Sequence, residues 1–213
     1  MALDCIHKVM QKYGILTPKI WINDMFNRRE LLVAGMAGLG MPAIASAQAK
    51  PPFILDPRFE PQYVSIKADY VPGQIYIVPS THFLYIVVEE RKAIRYGIGV
   101  GKAGLEFTGQ ATIDVKKEWP TWRPTDEMIE RDPKIYGKYK DNTDVMPGGP
   151  SNPLGARALY LFQNGKDTYF RIHGTTQPES IGQSVSNGCI RMINSHVMHL
   201  YGLVPVGTVV TVL

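Results

Sequence analysis

The chain has 213 residues, 23 Lys and Arg against 19 Asp and Glu for a formal charge of +4 at pH 7, and two cysteines, Cys5 and Cys189. So slight a basic excess is no electrostatic footprint for nucleic acid. Two cysteines are too few for a disulfide-stapled scaffold.

Residues 1–49 read as a targeting region. Arg28-Arg29 precedes the apolar run LLVAGMAGLGMPAIA, which ends in ASAQA before Lys50. A basic start, an apolar centre and small residues at the end make a cleaved secretory signal, and a run of about fifteen residues is short for a membrane span. NRRELLV is a partial twin-arginine motif, with Glu30 and Leu31 a loose fit after the pair, and Met25 is an alternative start. Cleavage after residue 49 leaves 18 Lys and Arg against 16 Asp and Glu in 164 residues, a length suited to one domain with a real core. Cys5 leaves with the signal, and Cys189 is then a solitary thiol in an oxidising compartment, where it invites chemistry.

Residues 50–69 read as a proline-broken lead-in, and VPG at 71–73 adds a further break. The following segments alternate β-branched and aromatic residues with turn residues, which predicts strands at 74–78, 83–89, 93–99 and 111–116. Thr125 is the expected N-cap of a short helix over 125–132. MPGGPSNPLGA, 146–156, is a shaped loop, and strands at 158–162 and 168–172 flank a hairpin turn at Asn164-Gly165, where both residues tolerate positive φ. Asn194 or Ser195 is expected to cap a helix that presents Val197, Leu200 and Tyr201 on one side and ends at Gly202. Thr208–Leu213 closes the chain as a buried strand. The domain is therefore expected to be mainly β, with short helices.

A cysteine nucleophile needs a base or a positive environment, because its thiol is mostly protonated at neutral pH. The histidines left after cleavage are His82, His173, His196 and His199. His173 ends a strand and runs into Gly174-Thr175, which suits a cleft; His82 is expected on a surface turn, and His196 and His199 on an exposed helix face. One thiol and one loop histidine are too few ligands for a metal site.

IHGTTQPESIGQSVSNGCIRMINSHVMHLY, 172–201, resembles the signature of the L,D-transpeptidase catalytic domain, the YkuD or ErfK/YbiS/YcfS/YnhG family. The match rests on His173-Gly174-Thr175 and on Ser186-Asn187-Gly188-Cys189-Ile190-Arg191 occurring together, in order, at the family's spacing. Upstream, PGQIYIVPSTHFLYIV, IRYGIGVGKAG and ATIDVKKEWPTWRP are similar to further family segments, so the resemblance covers about residues 70–213. Asn187 stands where many members have histidine, and Ser195-His196 where an aspartate is common.

The resemblance implies a β-sandwich or partly open barrel with short helices, a stand-alone catalytic domain, and no cofactor. It implies Cys189 as nucleophile, His173 as general base and acid oriented through the Gly174 backbone, and the Gly188 and Cys189 amides as oxyanion donors. Arg191 is expected to give electrostatic or loop support, and Ser186 to support the turn or line the cleft. The implied partners are peptidoglycan stem peptides, a carbapenem-type inhibitor and, for some members, a lipoprotein acceptor. The amine acceptor is open between a second stem, giving a 3-3 cross-link, a lipoprotein, and water, giving a carboxypeptidase. A non-catalytic cell-wall binding protein is the alternative of another class. Periplasm or cell envelope is the expected location. Trp119, Trp122, Tyr169 and the loop Met146–Gly149 are candidates for the cleft wall.

Overall fold

The computed structural model describes residues 53–141 and 143–213. The expected export region, 1–49, lies outside the described residues. A 3₁₀ turn at Pro57–Phe59 leads into β1 (Gln62–Ser65), so the lead-in carries a strand that its prolines concealed. β2 (Ile75–Val78), β3 (Phe83–Glu89), β4 (Lys92–Gly97) and the two-residue β5 (Val100–Gly101) follow. Then come β6 (Gly109–Glu118), α1 (Asp126–Arg131), α2 (Pro133–Tyr136) and the hairpin of β7 (Arg157–Gln163) and β8 (Lys166–His173). β9 (Ser184–Ser186), β10 (Ile190–Arg191), α3 (Asn194–Leu203) and β11 (Val209–Val212) complete the described residues.

Nine strands form one mixed sheet in the order β1-β4-β3-β2-β11-β6-β7-β8-β10, and β5 pairs with β9 separately. Alternation decides its buried face. Ile75, Ile77, Leu84, Ile86, Ile94, Tyr96, Ala111, Ile113, Leu159, Leu161, Val210 and Val212 all point to the core, where Val197 and Leu200 of α3 join them. β11 sits mid-sheet, parallel to β2 and antiparallel to β6, which explains its apolar sequence.

The sheet stays open, with β1 and β10 at its edges, but one backbone bridge brings distant parts of it together. Gly99, just past β4, exchanges both hydrogen bonds with Arg191 of β10, at 2.9 and 2.8 Å. The β5–β9 ladder extends that contact. The mainly β class stands; the arrangement is partly wrapped, and no barrel closes.

Local signals explain the element ends. Asn164 and Gly165 adopt φ of 53° and 72°, the left-handed pair a tight hairpin turn requires. Thr125 caps α1 by accepting from Met128 N at 3.3 Å. Two expectations fail. Ile193 holds the N-cap position of α3, and Asn194, in the first turn, bonds loop backbone instead. The helix also runs through Gly202 to Leu203, because Lys116 Nζ from β6 donates to the carbonyls of Tyr201 and Val204 at 2.8 and 2.6 Å and satisfies its C-terminal end.

Phe59 anchors the lead-in. It is buried, its ring stacks obliquely on Phe83 at 5.6 Å, and its atoms occupy the space a Cβ at Gly97 or Gly182 would take. Phe59→Ala should therefore destabilise the fold by about 3 kcal/mol or more, as measured by urea unfolding, because the two glycines cannot close the cavity.

Candidate active site

His173 is the last residue of β8, and β10 lies parallel beside it with Ile190 opposite Ile172 and Arg191 opposite His173. Ile172 and Ile190 enter the core, so alternation sends Arg171, His173, Cys189 and Arg191 to the other face. This short ladder brings together two motifs sixteen residues apart in sequence. Met192 N donating to His173 O at 2.8 Å extends it.

The imidazole is held by its own chain. His173 Nδ1 lies 2.5 Å from the Gly174 carbonyl, which can only accept, so Nδ1 carries the proton and Nε2 keeps its lone pair. Asn194 in turn fixes this segment: its Oδ1 accepts from Ala156 N at 3.0 Å and Thr175 N at 3.2 Å, while Nδ2 donates to Thr175 O at 3.1 Å. Gly155 and Gly174 give that amide its space, since a Cβ on either would collide with Asn194 Oδ1.

Cys189 reaches a cleft of about 450 Å³ lined also by Trp122, Leu154, Tyr160, Tyr169 and Arg171. Its Sγ lies 3.9 Å from the Tyr169 carbonyl. A bulge in β8 gives Tyr169 a φ of 62° and turns it outward at the mouth, 69% exposed. Arg171 is locked to Asp167 by two 2.7 Å bonds with its guanidinium over Tyr160. Sequence reading missed Arg171, although it stands two residues before His173 and so shares its strand face.

The cysteine turn is held by its own serine. Ser186, buried, donates to the Cys189 carbonyl at 2.6 Å and accepts from Gly188 N at 3.1 Å. The Gly188 N–H thus donates inside the turn, while no hydrogen bond among the described residues takes the Cys189 N–H. Gly188 is glycine for another reason: its φ is 118°, and a Cβ would meet the Phe170 ring and the Leu105 carbonyl. Arg191 donates to Gln177 Oε1 at 2.9 Å and braces the loop after β8. Arg131 of α1 reaches Asn187 Oδ1 at 2.8 Å, joining the helical segment over the cleft to the cysteine turn.

Of the expected wall aromatics, Trp122 and Tyr169 line the cleft and Trp119 does not; Trp119 instead packs its carbonyl against Gly148. Val145 lines the cleft beside the expected Met146–Gly149 loop, whose own residues stay outside it. The other histidines have partners elsewhere. His82 Nε2 meets Ser184 Oγ at 3.0 Å, and His199 Nδ1 meets Tyr96 Oη at 2.7 Å. His196 is buried against Glu60 at 3.1 Å, not exposed as expected, because the lead-in covers that helix face.

Burial dominates the protonation of the pair. It drives the His173 pKa down to about 4, against the upward pull of the Gly174 carbonyl and with help from the Arg191 and Arg171 charges. Burial likewise pushes the Cys189 thiol up, and the Arg171 N–H and the two guanidinium charges only partly offset it. At neutral pH the site therefore rests as thiol and neutral imidazole. Among the described residues no group of three or more His, Cys, Asp or Glu could hold a metal ion, and no helix is long and apolar enough to cross a membrane.

The sequence model of the YkuD family, described as L,D-transpeptidase catalytic domain, matches residues 72–212. The chain belongs to that family. It is 34% identical over 142 residues to the putative L,D-transpeptidase YqjB of Bacillus subtilis, spanning 65% of this chain and 70% of the relative. Against the probable L,D-transpeptidase ErfK/SrfK of Escherichia coli it is 31% identical over 156 residues, 72% of this chain but only 47% of the relative. A crystal structure from Brucella melitensis, described as a probable carnitine operon oxidoreductase CaiA, is 60% identical with a TM-score of 0.51, covering 72% of this chain and 93% of that one.

Two outcomes follow from the protonation balance. Alkylation of Cys189 by iodoacetamide should rise with pH through an inflection above the ordinary thiol value; a plateau already reached at neutral pH would show a preformed thiolate. Between pH 6.5 and about 4 the unfolded chain binds a proton that folded His173 refuses, so stability is full above this window and falls as pH drops through it. His173→Asn should flatten that decline by on the order of 3 kcal/mol when unfolding is followed against pH.

Proposed function

We propose that the chain is a cysteine acyltransferase acting on peptidoglycan stem peptides, an L,D-transpeptidase. The observation that carries this reading is the tautomer of His173: with Nδ1 held by the Gly174 carbonyl, Nε2 is a base on the same strand face as the Cys189 thiol. Nε2 takes the thiol proton as Sγ attacks the carbonyl of the residue that precedes the terminal D-alanine. The oxyanion is received by the Cys189 N–H, which no other group takes among the described residues. His173 returns the proton to the departing D-alanine amine and leaves a thioester. A stem-peptide amine resolves the thioester to a 3-3 cross-link. Water in its place gives an L,D-carboxypeptidase product, and a lipoprotein lysine gives attachment to the wall.

A neutral resting pair suits this order of events, because the proton moves only when substrate is present. Ser186 keeps the turn rigid behind the nucleophile, and Arg191 braces the opposing loop; both act through position. The same thiol would open the strained ring of a carbapenem. Action on the wall agrees with export to the periplasm through residues 1–49. The motif pair of His173 and Cys189 favours acyl transfer over the redox activity named in the description of the Brucella melitensis structure.

The test is full-length protein with disaccharide-tetrapeptide, followed by intact mass and product mass spectrometry. A transient acyl adduct, D-alanine release and a dimeric muropeptide are expected, all abolished in Cys189→Ala, with His173→Ala slower by roughly 10³-fold. Release of D-alanine with only tripeptide formed would move the assignment to carboxypeptidase. Absence of any adduct, with stem peptide and with meropenem alike, would overturn it.

A further inference from the structure

A second cavity, about 650 Å³, lies away from the cysteine cleft and shares no lining residue with it. It opens on the outward side of β2 and β3, the face opposite the core residues Ile75, Ile77, Leu84 and Ile86. Three tyrosines shape it. Tyr76 and Tyr85 stand directly opposite each other across the two strands, and Tyr70 packs its edge on Tyr76 with ring centroids 4.7 Å apart. Tyr76 is fixed in place, its hydroxyl donating to Gln74 Oε1 at 3.0 Å and accepting from Val71 N at 3.3 Å.

Several polar groups of the cavity are uncommitted. Among the described residues no hydrogen bond or ion pair takes the Lys67 ammonium or the hydroxyls of Tyr70 and Tyr85. Arg91 sits at the tip of the β3–β4 turn with φ of 61°, holds the chain after β1 through Ile66 N at 3.0 Å, and has only an exposed 3.6 Å pairing with Glu90. The volume suits a small ligand or two linked rings.

We propose that this cavity binds the sugar chain of a glycan made of N-acetylated amino sugars. A pyranose offers a flat C–H face to tyrosine rings and a rim of hydroxyl and acetamido oxygens to phenol, ammonium and guanidinium donors. An aliphatic ligand would cover the half-buried hydroxyls of Tyr70 and Tyr85 without giving them a partner. A polyanion would leave the ring faces unused. The choice of amino sugars rests on the peptidoglycan reading above; the fit to a sugar ring does not. Bound there, the glycan strand would hold the substrate on the enzyme independently of the peptide in the cleft, a tether that raises the local concentration of stem peptides.

The probe is the peptide-free tetramer of β-1,4-linked N-acetylglucosamine, titrated calorimetrically into full-length Cys189→Ala. Saturable binding is expected, weakened roughly tenfold or more by Tyr85→Ala and by Lys67→Ala, with Lys67→Ala unchanged in thermal unfolding and in acylation by sugar-free tetrapeptide when placed in the wild-type background. Because Lys67 is exposed, that variant keeps the test meaningful if Tyr85→Ala fails to fold. No saturable binding, or binding that survives Lys67→Ala and a folded Tyr85→Ala, overturns the assignment, as does sedimentation with anionic lipid vesicles in its place. Tetramer binding without any acyl transfer would sink the proposed function and leave this site standing.

Discussion

A parallel ladder only two residues long, Ile172 with Ile190 and His173 with Arg191, is the contact on which the site depends. So short a ladder has few bonds of its own, and the structure reinforces it from three sides. The isoleucines are buried in the main core, the Gly99–Arg191 bridge clamps its outer edge, and the Asn194 amide ties the residues just beyond it to the loop before β7. Loss of any of these would leave the motifs intact in sequence and apart in space.

The same burial that makes the ladder rigid decides its electrostatics. Two guanidinium groups, Arg171 and Arg191, stand close enough to favour a thiolate, yet desolvation outweighs them at Cys189, and at His173 their charges add to it. Arg171 spends much of its charge on Asp167, and Arg191 gives a donor to Gln177. The arginines therefore act chiefly as braces on the loops around the cleft. The proposed chemistry then begins from a neutral pair, and charge separation arises with substrate in place, where the free Cys189 N–H can meet it.

The two cavities lie at different ends of the sheet. At the β7–β8 end the bulge at Tyr169 and the helical segment joined by the Arg131–Asn187 bond enclose the thiol. At the β2–β3 end the tyrosine cavity lies open beyond β11 and β6, which separate the two regions in the strand order.

Much was legible in the sequence where the signal is local. Strand alternation, the Asn164-Gly165 turn and the Thr125 cap each depend on neighbouring residues, and each is found in the structure. The sequence by itself determined the mainly β class, the family, and which thiol and imidazole are the candidates for its chemistry. Tertiary structure decided the rest, because the deciding partners are distant in the chain. The lead-in pairs with β4 as an edge strand, and Phe59 beside it fills the space over Gly97 and Gly182. Asn194 left the helix cap for Ala156 and Thr175, and Lys116 took over the helix end from Gly202. Ser186 claimed the Gly188 N–H, and Glu60 buried His196. A backbone donor or a polar side chain has several chemically equal partners in a sequence; which one it takes depends on what the fold brings within about 3 Å of it.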